Sequence, residues 1–208
     1  MKTNSYAINV QSEIGPLKKV LLHRPGEELE RLVPGELERL LFDDIPHLVA
    51  AVREHDAFAE TLRGNGAEVV YLSDLAAETL RLTPDRREPF IRRFIAESGE
   101  SSVSCRDELF RLLSGIREEK ELILKMMAGV TVSELDRKEQ GTLTALAGRS
   151  SRFALDPIPN LYFTRDPFAC IGHGVSLNRM YSVTRRRETI FGELIFRYHP
   201  DYAGRVPL

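Results

Sequence analysis

The sequence predicts an α/β protein that is interrupted by an all-helical block. Short runs rich in strand-forming residues occur near both ends of the chain, each accompanied by an amphipathic helical run. Between them, apolar residues recur almost only at helical spacing. These observations divide the chain into a first α/β stretch over 1–75, a helical block over 76–150 and a second α/β stretch over 151–208.

The first stretch has the pattern of a strand, a helix and a second strand. Residues 17–22 are a short strand candidate that ends at a Pro-Gly turn. Apolar spacing predicts a helix over 45–62, with Asp43 and Asp44 placed to interact with the positive end of its dipole. After a Gly-Asn-Gly stop, residues 67–72 form the next strand, which completes an α/β unit.

The helical block carries helix-start signals. Thr83 and Pro84 combine a hydroxyl N-cap with a proline at the first helical position. Thr131 and Glu134 have the spacing of a capping box, which predicts a further helix. Apolar faces at helical spacing lie at 90–95, 109–116 and 122–127.

The second α/β stretch begins with a rigid loop and contains a hairpin. The loop is 156–160, in which each of two prolines fixes its own φ and restrains its predecessor. Strands are predicted at 168–171 and 175–180, joined by the three-residue loop Gly172-His173-Gly174. A helix is predicted from Glu188 to Tyr198.

Composition excludes several classes of protein. With 29 Lys+Arg against 31 Asp+Glu, the chain lacks the basic excess of a nucleic-acid-binding protein. No apolar run approaches the ~18 residues of a membrane span, and the first ten residues lack an apolar signal segment. Two cysteines fit a reducing cytoplasm. We therefore expect a cytoplasmic protein without a nucleic-acid or membrane partner; homo-oligomerisation is left open.

Side-chain type alone identifies no catalytic machinery. The chain has no Cys-x-x-Cys, His-Glu-x-x-His, Gly-x-Ser-x-Gly or phosphate-cradling glycine loop. The five histidines are scattered, so no metal site is expected. Cys170 lies in an apolar strand that should bury it and raise the pKa of its thiol. Cys105, at a predicted helix start, is likewise interpreted as structural.

Two polar segments remain as candidates for binding. In 159–168, prolines bracket an amide, aromatic rings and a carboxylate on a loop that leads into the hairpin. The alternative there is a surface turn in which Arg165 and Asp166 make ordinary surface pairs. In 185–189, three arginines open the last helix, where cations are poorly matched to the dipole. We therefore expect these arginines to meet an acid, in the protein or in a ligand.

Ordered motifs occur along essentially the whole chain. They are Ser12-Glu13-Ile14-Gly15-Pro16-Leu17, Leu22-His23-Arg24-Pro25-Gly26, Leu41-Phe42-Asp43-Asp44-Ile45-Pro46, Glu54-His55-Asp56-x-Phe58, Pro159-Asn160-Leu161-Tyr162-Phe163-Thr164-Arg165-Asp166-Pro167 and Arg185-x-Arg187-Glu188-Thr189. Together these motifs resemble the N-terminal half of the bacterial arginine deiminase family. The helical block also resembles the insertion that distinguishes this family from its relatives.

The resemblance implies a fold and an activity. The family has a five-fold pseudosymmetric α/β propeller (pentein) with a helical insertion. On that pattern 1–75 would be the first propeller unit, 76–150 the insertion and 151–208 a second unit, incomplete at the C-terminus. The family hydrolyses L-arginine to L-citrulline and ammonia through a cysteine thiolate and a histidine, with no metal or organic cofactor.

The resemblance also implies roles for individual residues. Asp166 would bind the substrate guanidinium as a buried carboxylate that pairing keeps ionised. Arg185 and Asn160 would bind the amino-acid end, and Phe163 would line the pocket. The family's nucleophilic cysteine and catalytic histidine match positions beyond residue 208, so no catalytic residue is assigned. The chain alone is therefore expected to be an inactive, truncated portion.

Two other hypotheses about the function stay open. One is another guanidino-group enzyme, such as a methylarginine hydrolase or an amidinotransferase; the helical block and the motif at 163–167 weigh against it. The other is a binding module that uses the same residues without turnover. Binding of arginine by the isolated chain discriminates this module from an enzyme portion.

Overall fold

In the computed structural model, which describes residues 7–99, 102, 104–135 and 152–204, short strands alternate with helices. The helices are α1 (Glu27–Glu30), α2 (Leu37–Leu40), α3 (Leu48–Gly64), α4 (Leu72–Leu82), α5 (Arg87–Ala96), α6 (Arg106–Gly115), α7 (Glu119–Ala128) and α8 (Glu188–Tyr198). The strands are β1 (Lys19–Leu22), β2 (Glu68–Tyr71), β3 (Val130–Thr131), β4 (Phe153–Leu155), β5 (Phe168–Ile171) and β6 (Gly174–Leu177). The 3-10 turns are Pro34–Glu36, Pro84–Arg86, Val132–Glu134, Pro159–Tyr162 and Val183–Arg185.

The first stretch contains the predicted α/β unit. Strands β1 and β2 pair in parallel, in register from Lys19 opposite Glu68 to Leu22 opposite Tyr71, with α3 between them in the chain. Parallel neighbours need such a crossover because their ends lie at opposite edges of the pair. Lys19 and Glu68 also form an ion pair of 2.9 Å.

The helices of the first stretch differ in part from the prediction. Helix α3 begins at Leu48 and has no acid in its first turn, so Asp43 and Asp44 do not interact with its dipole as expected. Pro46 accounts for the late start, because a proline disfavours helical geometry in the residue before it. Helix α4 follows β2 directly, without any Gly or Pro that would mark its start in the sequence.

The hairpin forms as predicted but with a tighter loop. Strands β5 and β6 pair antiparallel, and Ile171 lies opposite Gly174, so only two residues connect them. Gly172 in that loop has a φ of +59°, a value that glycine adopts without steric cost. Its backbone N–H and C=O also bond those of Val10, at 2.8 and 2.7 Å. The segment before β1 is thereby attached to the hairpin.

The end of α7 packs directly on the chain that enters the proline loop. Strands β3 and β4 pair antiparallel, and between α7 and β3 Gly129 has a φ of +77°. A Cβ there would lie 2.5 Å from the Leu155 carbonyl and 2.7 Å from the Pro157 nitrogen. The capping box predicted at Thr131 forms and opens a 3-10 turn. The longer helix predicted beyond it falls outside the described residues.

One apolar core joins the helical block to both α/β stretches. Its fully buried members include residues of α4, α5, α6, α7 and α8 together with Val130 of β3 and Leu155 of β4, and partly buried Leu21 of β1 packs against them. At its centre the rings of Phe90 and Phe94 meet Phe191 edge-on, with centroids 5.8 and 5.6 Å away. Helices α1 and α2 contribute to a smaller apolar cluster of Leu29, Leu32 and Leu40. No helix among the described residues is long and apolar enough to cross a membrane.

Candidate functional site

Three charged side chains from the two predicted polar segments meet in one cluster. Arg185 ends the 3-10 turn before α8, and Glu188 is the first residue of that helix. Arg185 donates from Nε to Glu188 Oε1 at 2.8 Å and from Nη2 to Glu188 Oε2 at 2.8 Å. Its Nη2 also donates to Asp166 Oδ2 at 3.0 Å. The predicted acid partner of the arginines is therefore found, since Arg185 bridges two carboxylates.

Burial sets the electrostatics of this cluster. The Glu188 side chain is fully buried, whereas 13% of Arg185 and 46% of Asp166 are exposed. Desolvation raises the pKa of Glu188, although its bonds with Arg185 oppose the increase. Burial lowers the pKa of Arg185, but the bonds to Glu188 and Asp166 outweigh it, so the net shift is upward. Arg185 therefore remains a cation between the two acids.

Asp166 is more accessible than predicted. The expectation was a buried carboxylate, but its side chain is nearly half exposed. Its backbone is well fixed, because its N–H donates to the Phe163 carbonyl at 3.1 Å and its carbonyl accepts from Asn178 Nδ2 at 2.9 Å. The carboxylate thus projects from a rigid turn toward solvent, where it is available to a cationic ligand.

Asn160 holds two loops together. It is buried in the turn Pro159–Tyr162, and its Nδ2 donates to the Leu40 carbonyl at 2.9 Å. Leu41, which follows Leu40, has a φ of +59°, and this left-handed conformation is unusual for a residue with a branched side chain. The amide of Asn160 therefore fixes α2 and its left-handed C-cap on the loop 156–160.

Asp156, at the start of the same loop, reinforces that attachment. Its carboxylate accepts from Arg39 Nη1 at 2.5 Å and from Nη2 at 3.0 Å. Its carbonyl accepts from Nη2 of fully buried Arg187 at 2.9 Å. The Arg187 guanidinium lies over the Phe94 ring, 4.9 Å from its centroid, and burial lowers its pKa to about 10. The helical block thus contacts the site through Phe94.

Phe163 lies in a small aromatic group at the surface. It is 47% exposed, and its ring centroid is 4.2 Å from that of Tyr162, which in turn meets Phe42 edge-on at 6.3 Å. Phe42 follows Leu41, so the aromatic group joins the end of α2 to the loop that carries Asp166. An exposed ring beside a carboxylate can pack against the apolar part of a ligand.

Two contacts anchor the Asp166 loop to the first stretch. Thr164 Oγ1 donates to the Leu21 carbonyl of β1 at 3.1 Å. Arg165 pairs with Glu13 in an exposed ion pair, whereas Asp166 pairs with Arg185. Arg165 and Asp166 therefore face different partners, and only Asp166 belongs to the charged cluster.

The cysteines and histidines lie outside this cluster. Cys105 is buried in the helical block, as expected. Cys170 is exposed on β5, which corrects the prediction of a buried residue, although Val175 opposite it on β6 is buried. Desolvation nevertheless raises the pKa of its thiol, as predicted. Among the described residues, no group of three or more His, Cys, Asp or Glu could hold a metal ion.

Three residues that shape the site were not among the predicted binding residues. Glu188 stands three positions after Arg185, a spacing at which side chains meet across a helical turn. The sequence therefore contains a local signal for this pair. Arg39 and Asp156 are 117 positions apart, and nothing local in the sequence indicates their pairing.

The fold and the cluster together define an α/β protein that carries a helical block and a partly exposed cluster of one arginine and two acids. A family model described as arginine deiminase matches residues 38–207. The chain is 56% identical over 199 residues to an arginine deiminase of Treponema denticola, covering 96% of this chain and 48% of that protein. It is 54% identical over 209 residues to an arginine deiminase of Streptococcus agalactiae serotype Ia, covering 99% and 50%.

A third relative gives the same result. The chain is 57% identical over 205 residues to an arginine deiminase of Streptococcus equi subsp. zooepidemicus, covering 97% of this chain and 49% of that protein. The chain therefore belongs to the arginine deiminase family. It spans about half the length of the curated relatives it matches.

Proposed function

We propose that this chain forms part of an arginine deiminase and contributes one side of the site for L-arginine. The reaction is hydrolysis of the guanidinium C–N bond, which releases L-citrulline and ammonia. In this proposal Asp166 binds the substrate guanidinium, Arg185 and Asn160 bind the amino-acid end, and Phe163 lines the pocket. The cysteine nucleophile and the catalytic histidine come from outside the 208 residues.

The observation that carries this proposal is the cluster of Asp166, Arg185 and Glu188. A carboxylate that already accepts from one guanidinium has the geometry and charge to accept from another, and its second oxygen, Oδ1, accepts from no other side chain in the described part of the chain. The three groups carry one net negative charge when all are ionised, which attracts a cation. Arginine supplies a cation at one end and a carboxylate at the other, and the cluster offers a partner for each.

The proposal extends to the architecture. The parallel unit β1–α3–β2 and the hairpin unit β5–β6–α8 are interpreted as parts of the first and second units of a five-fold α/β propeller. Residues 1–75, 76–150 and 151–208 are then the first unit, the helical insertion and the incomplete second unit. The open pairs β1–β2 and β5–β6 support this interpretation, because each leaves edges that further strands can cover.

A chimaera tests the activity directly. This chain would replace the segment of the Treponema denticola relative that it matches, and citrulline formation from arginine would be measured. We expect turnover, and we expect Asp166→Asn to lower kcat/KM by about 100-fold or more, because the transition state would lose a charged partner. The matched control is Asp74→Asn, an exposed aspartate on α4 paired with Lys120, which should leave turnover unchanged.

The alternatives give different results. A folded chimaera that binds arginine but never releases citrulline would contradict the proposal, and micromolar binding by the isolated chain would then favour a binding module. Turnover of a methylated arginine in preference to arginine would favour another guanidino-group enzyme. The isolated chain itself should release no citrulline, since neither Cys105 nor Cys170 lies in a cysteine motif of the family.

A further inference from the structure

Glu188 is a buried acid that the proposed site does not use for substrate. It is 0% exposed at the start of α8, and both of its oxygens accept from Arg185 in a side-on pair. A fully buried carboxylate is costly unless it is paired, and this geometry pairs both oxygens. The position therefore stabilises one particular orientation of the Arg185 guanidinium.

The hydrogen-bond donors of Arg185 show what that orientation leaves free. Its Nε proton and one Nη2 proton go to Glu188, and the other Nη2 proton goes to Asp166. A guanidinium has five N–H donors, so the two on Nη1 remain. Within the described ranges no residue accepts from Nη1. The Nη1 end is therefore the part of Arg185 that can bind a ligand carboxylate.

We propose that Glu188 is a positioning residue that turns the Nη1 end of Arg185 toward the substrate carboxylate and limits the contact of Arg185 with Asp166 to one oxygen. This inference rests on the proposed function, because it assigns a partner to the carboxylate of arginine. Without Glu188, the Nε and Nη2 edge of Arg185 could form a two-bond pair with Asp166. That pair would occupy the carboxylate that the substrate guanidinium needs.

A purely structural role for Glu188 must be distinguished from positioning. A carboxylate in the first turn of a helix is favoured by the dipole, so its loss could weaken α8 without changing the site. Agmatine separates the two roles, because it has the same guanidinium as arginine and lacks the carboxylate. A residue that acts through Arg185 should matter for arginine and not for agmatine.

The test uses the 208-residue chain with Glu188→Gln and the matched control Glu193→Gln. Glu193 lies on the same helix and also pairs with an arginine, but with Arg93 at 2.7 Å and not with Arg185. Without ligand, hydrogen exchange of the Arg185 Nε proton is followed by NMR, and Arg185→Lys identifies its signal. With ligand, arginine and agmatine are titrated at millimolar concentration into the chimaera described above, which carries the same substitutions.

We expect Glu188→Gln to accelerate exchange of the Arg185 Nε proton by about tenfold or more and to weaken arginine binding by about tenfold. Agmatine binding and the Glu193→Gln variant should be unchanged. Unchanged exchange in Glu188→Gln, or equal weakening of arginine and agmatine, would overturn the inference. If neither compound binds the chimaera without these substitutions, the proposed function fails, and the ligand-free exchange alone decides the role of Glu188.

A second variant covers the case in which Glu188→Gln does not fold. Glu188→Asp keeps the charge and its favourable interaction with the helix dipole but shortens the side chain by one methylene. The side-on pair then cannot form without movement of Arg185. The same gain in exchange and the same difference between arginine and agmatine are expected, and their absence in this variant rejects positioning.

Discussion

Asp156 links three separate parts of the chain through different atoms. Its carboxylate binds Arg39 beside α2, its carbonyl binds Arg187 ahead of α8, and the loop it begins carries Asn160. Each bond would be weak if exposed, but Asp156 is only 7% exposed and Arg187 is 1% exposed. Charged hydrogen bonds shielded from water are stronger and are costly to leave unmade. The position of Asn160 therefore depends on charges that never touch a ligand.

Glu134 also binds several charged or polar groups at once, and it connects the segment after α1 to the helical block. It accepts from Arg31 at 2.9 Å, from the Thr131 amide at 2.7 Å and from Lys125. Burial raises the pKa of Glu134, but these three donors outweigh it and hold that pKa well below its usual range. A carboxyl with a depressed folded pKa stabilises the protein above its unfolded pKa, about 4.3, and loses that contribution as the pH falls toward the folded value.

We therefore expect Glu134→Gln to lower the free energy of unfolding at pH 7 by about 1–3 kcal/mol. The deficit relative to the natural chain should shrink as the pH falls below about 4, because the unfolded natural chain then takes up a proton at Glu134 that the folded chain does not. Urea unfolding between pH 3 and 7 measures it. Glu60→Gln, which removes an exposed i,i+3 pair with Arg63, is the control and should change stability by less than about 0.5 kcal/mol. If the loss of stability were the same at every pH, the charge of Glu134 would not be what stabilises the fold.

The contact between the end of α7 and the proline loop depends on Gly129. Its φ of +77° and the 2.5 Å approach of the Leu155 carbonyl to the Cβ position leave no room for a side chain. We expect Gly129→Ala to destabilise the protein by about 3 kcal/mol or more, because strain and a backbone clash add. Gly64→Ala is the control: it lies at the end of α3 with open space around it and should be neutral or slightly stabilising. Thermal unfolding of both variants measures the loss of stability. An unchanged unfolding temperature for Gly129→Ala would show that the end of α7 does not pack closely on the loop.

The elements that could be predicted are those whose signals are local. The parallel unit, the hairpin and α8 follow from apolar spacing and turn residues within about 20 positions. Helix α4 was missed because no turn residue separates it from β2. The short helices α1 and α2 were missed because four residues cannot show a helical period, and the packing of Leu29 and Leu40 stabilises them instead.

Two of the three members of the charged cluster, Asp166 and Arg185, were predicted as polar residues of interest, but the contacts between them were not. A cation at a helix start implied an acid, and Arg185 does bind two. The accessibility of Asp166 and the choice of Glu188 depend on how α8 packs against the core. The start of α8, where Glu188 lies, is buried by contacts with other parts of the chain. The sequence of the helix alone therefore does not predict this burial.

The shared core bears on how the whole chain unfolds. Leu113 of the helical block and Phe191 of α8 are both fully buried in one continuous apolar cluster. Between the two parts, Arg93 of α5 pairs with Glu193 of α8, and this bond raises the pKa of the arginine and lowers that of the acid. Helices that share a core and an ion pair with the α/β stretches should not unfold independently of them.

The chain offers two separate probes of this cooperativity. All six tyrosines lie outside 76–150 and tryptophan is absent, so tyrosine fluorescence follows the α/β stretches, while far-UV circular dichroism also follows the helical block. We expect both signals to change at one denaturant midpoint. Leu113→Ala should lower that midpoint for both probes, with a loss of about 2–5 kcal/mol. Leu82→Ala, at a site 52% exposed, should move neither. A shift of the dichroism signal alone would mean that the helical block folds as a separate unit, since only a block with its own core can lose a buried leucine without destabilising its neighbours.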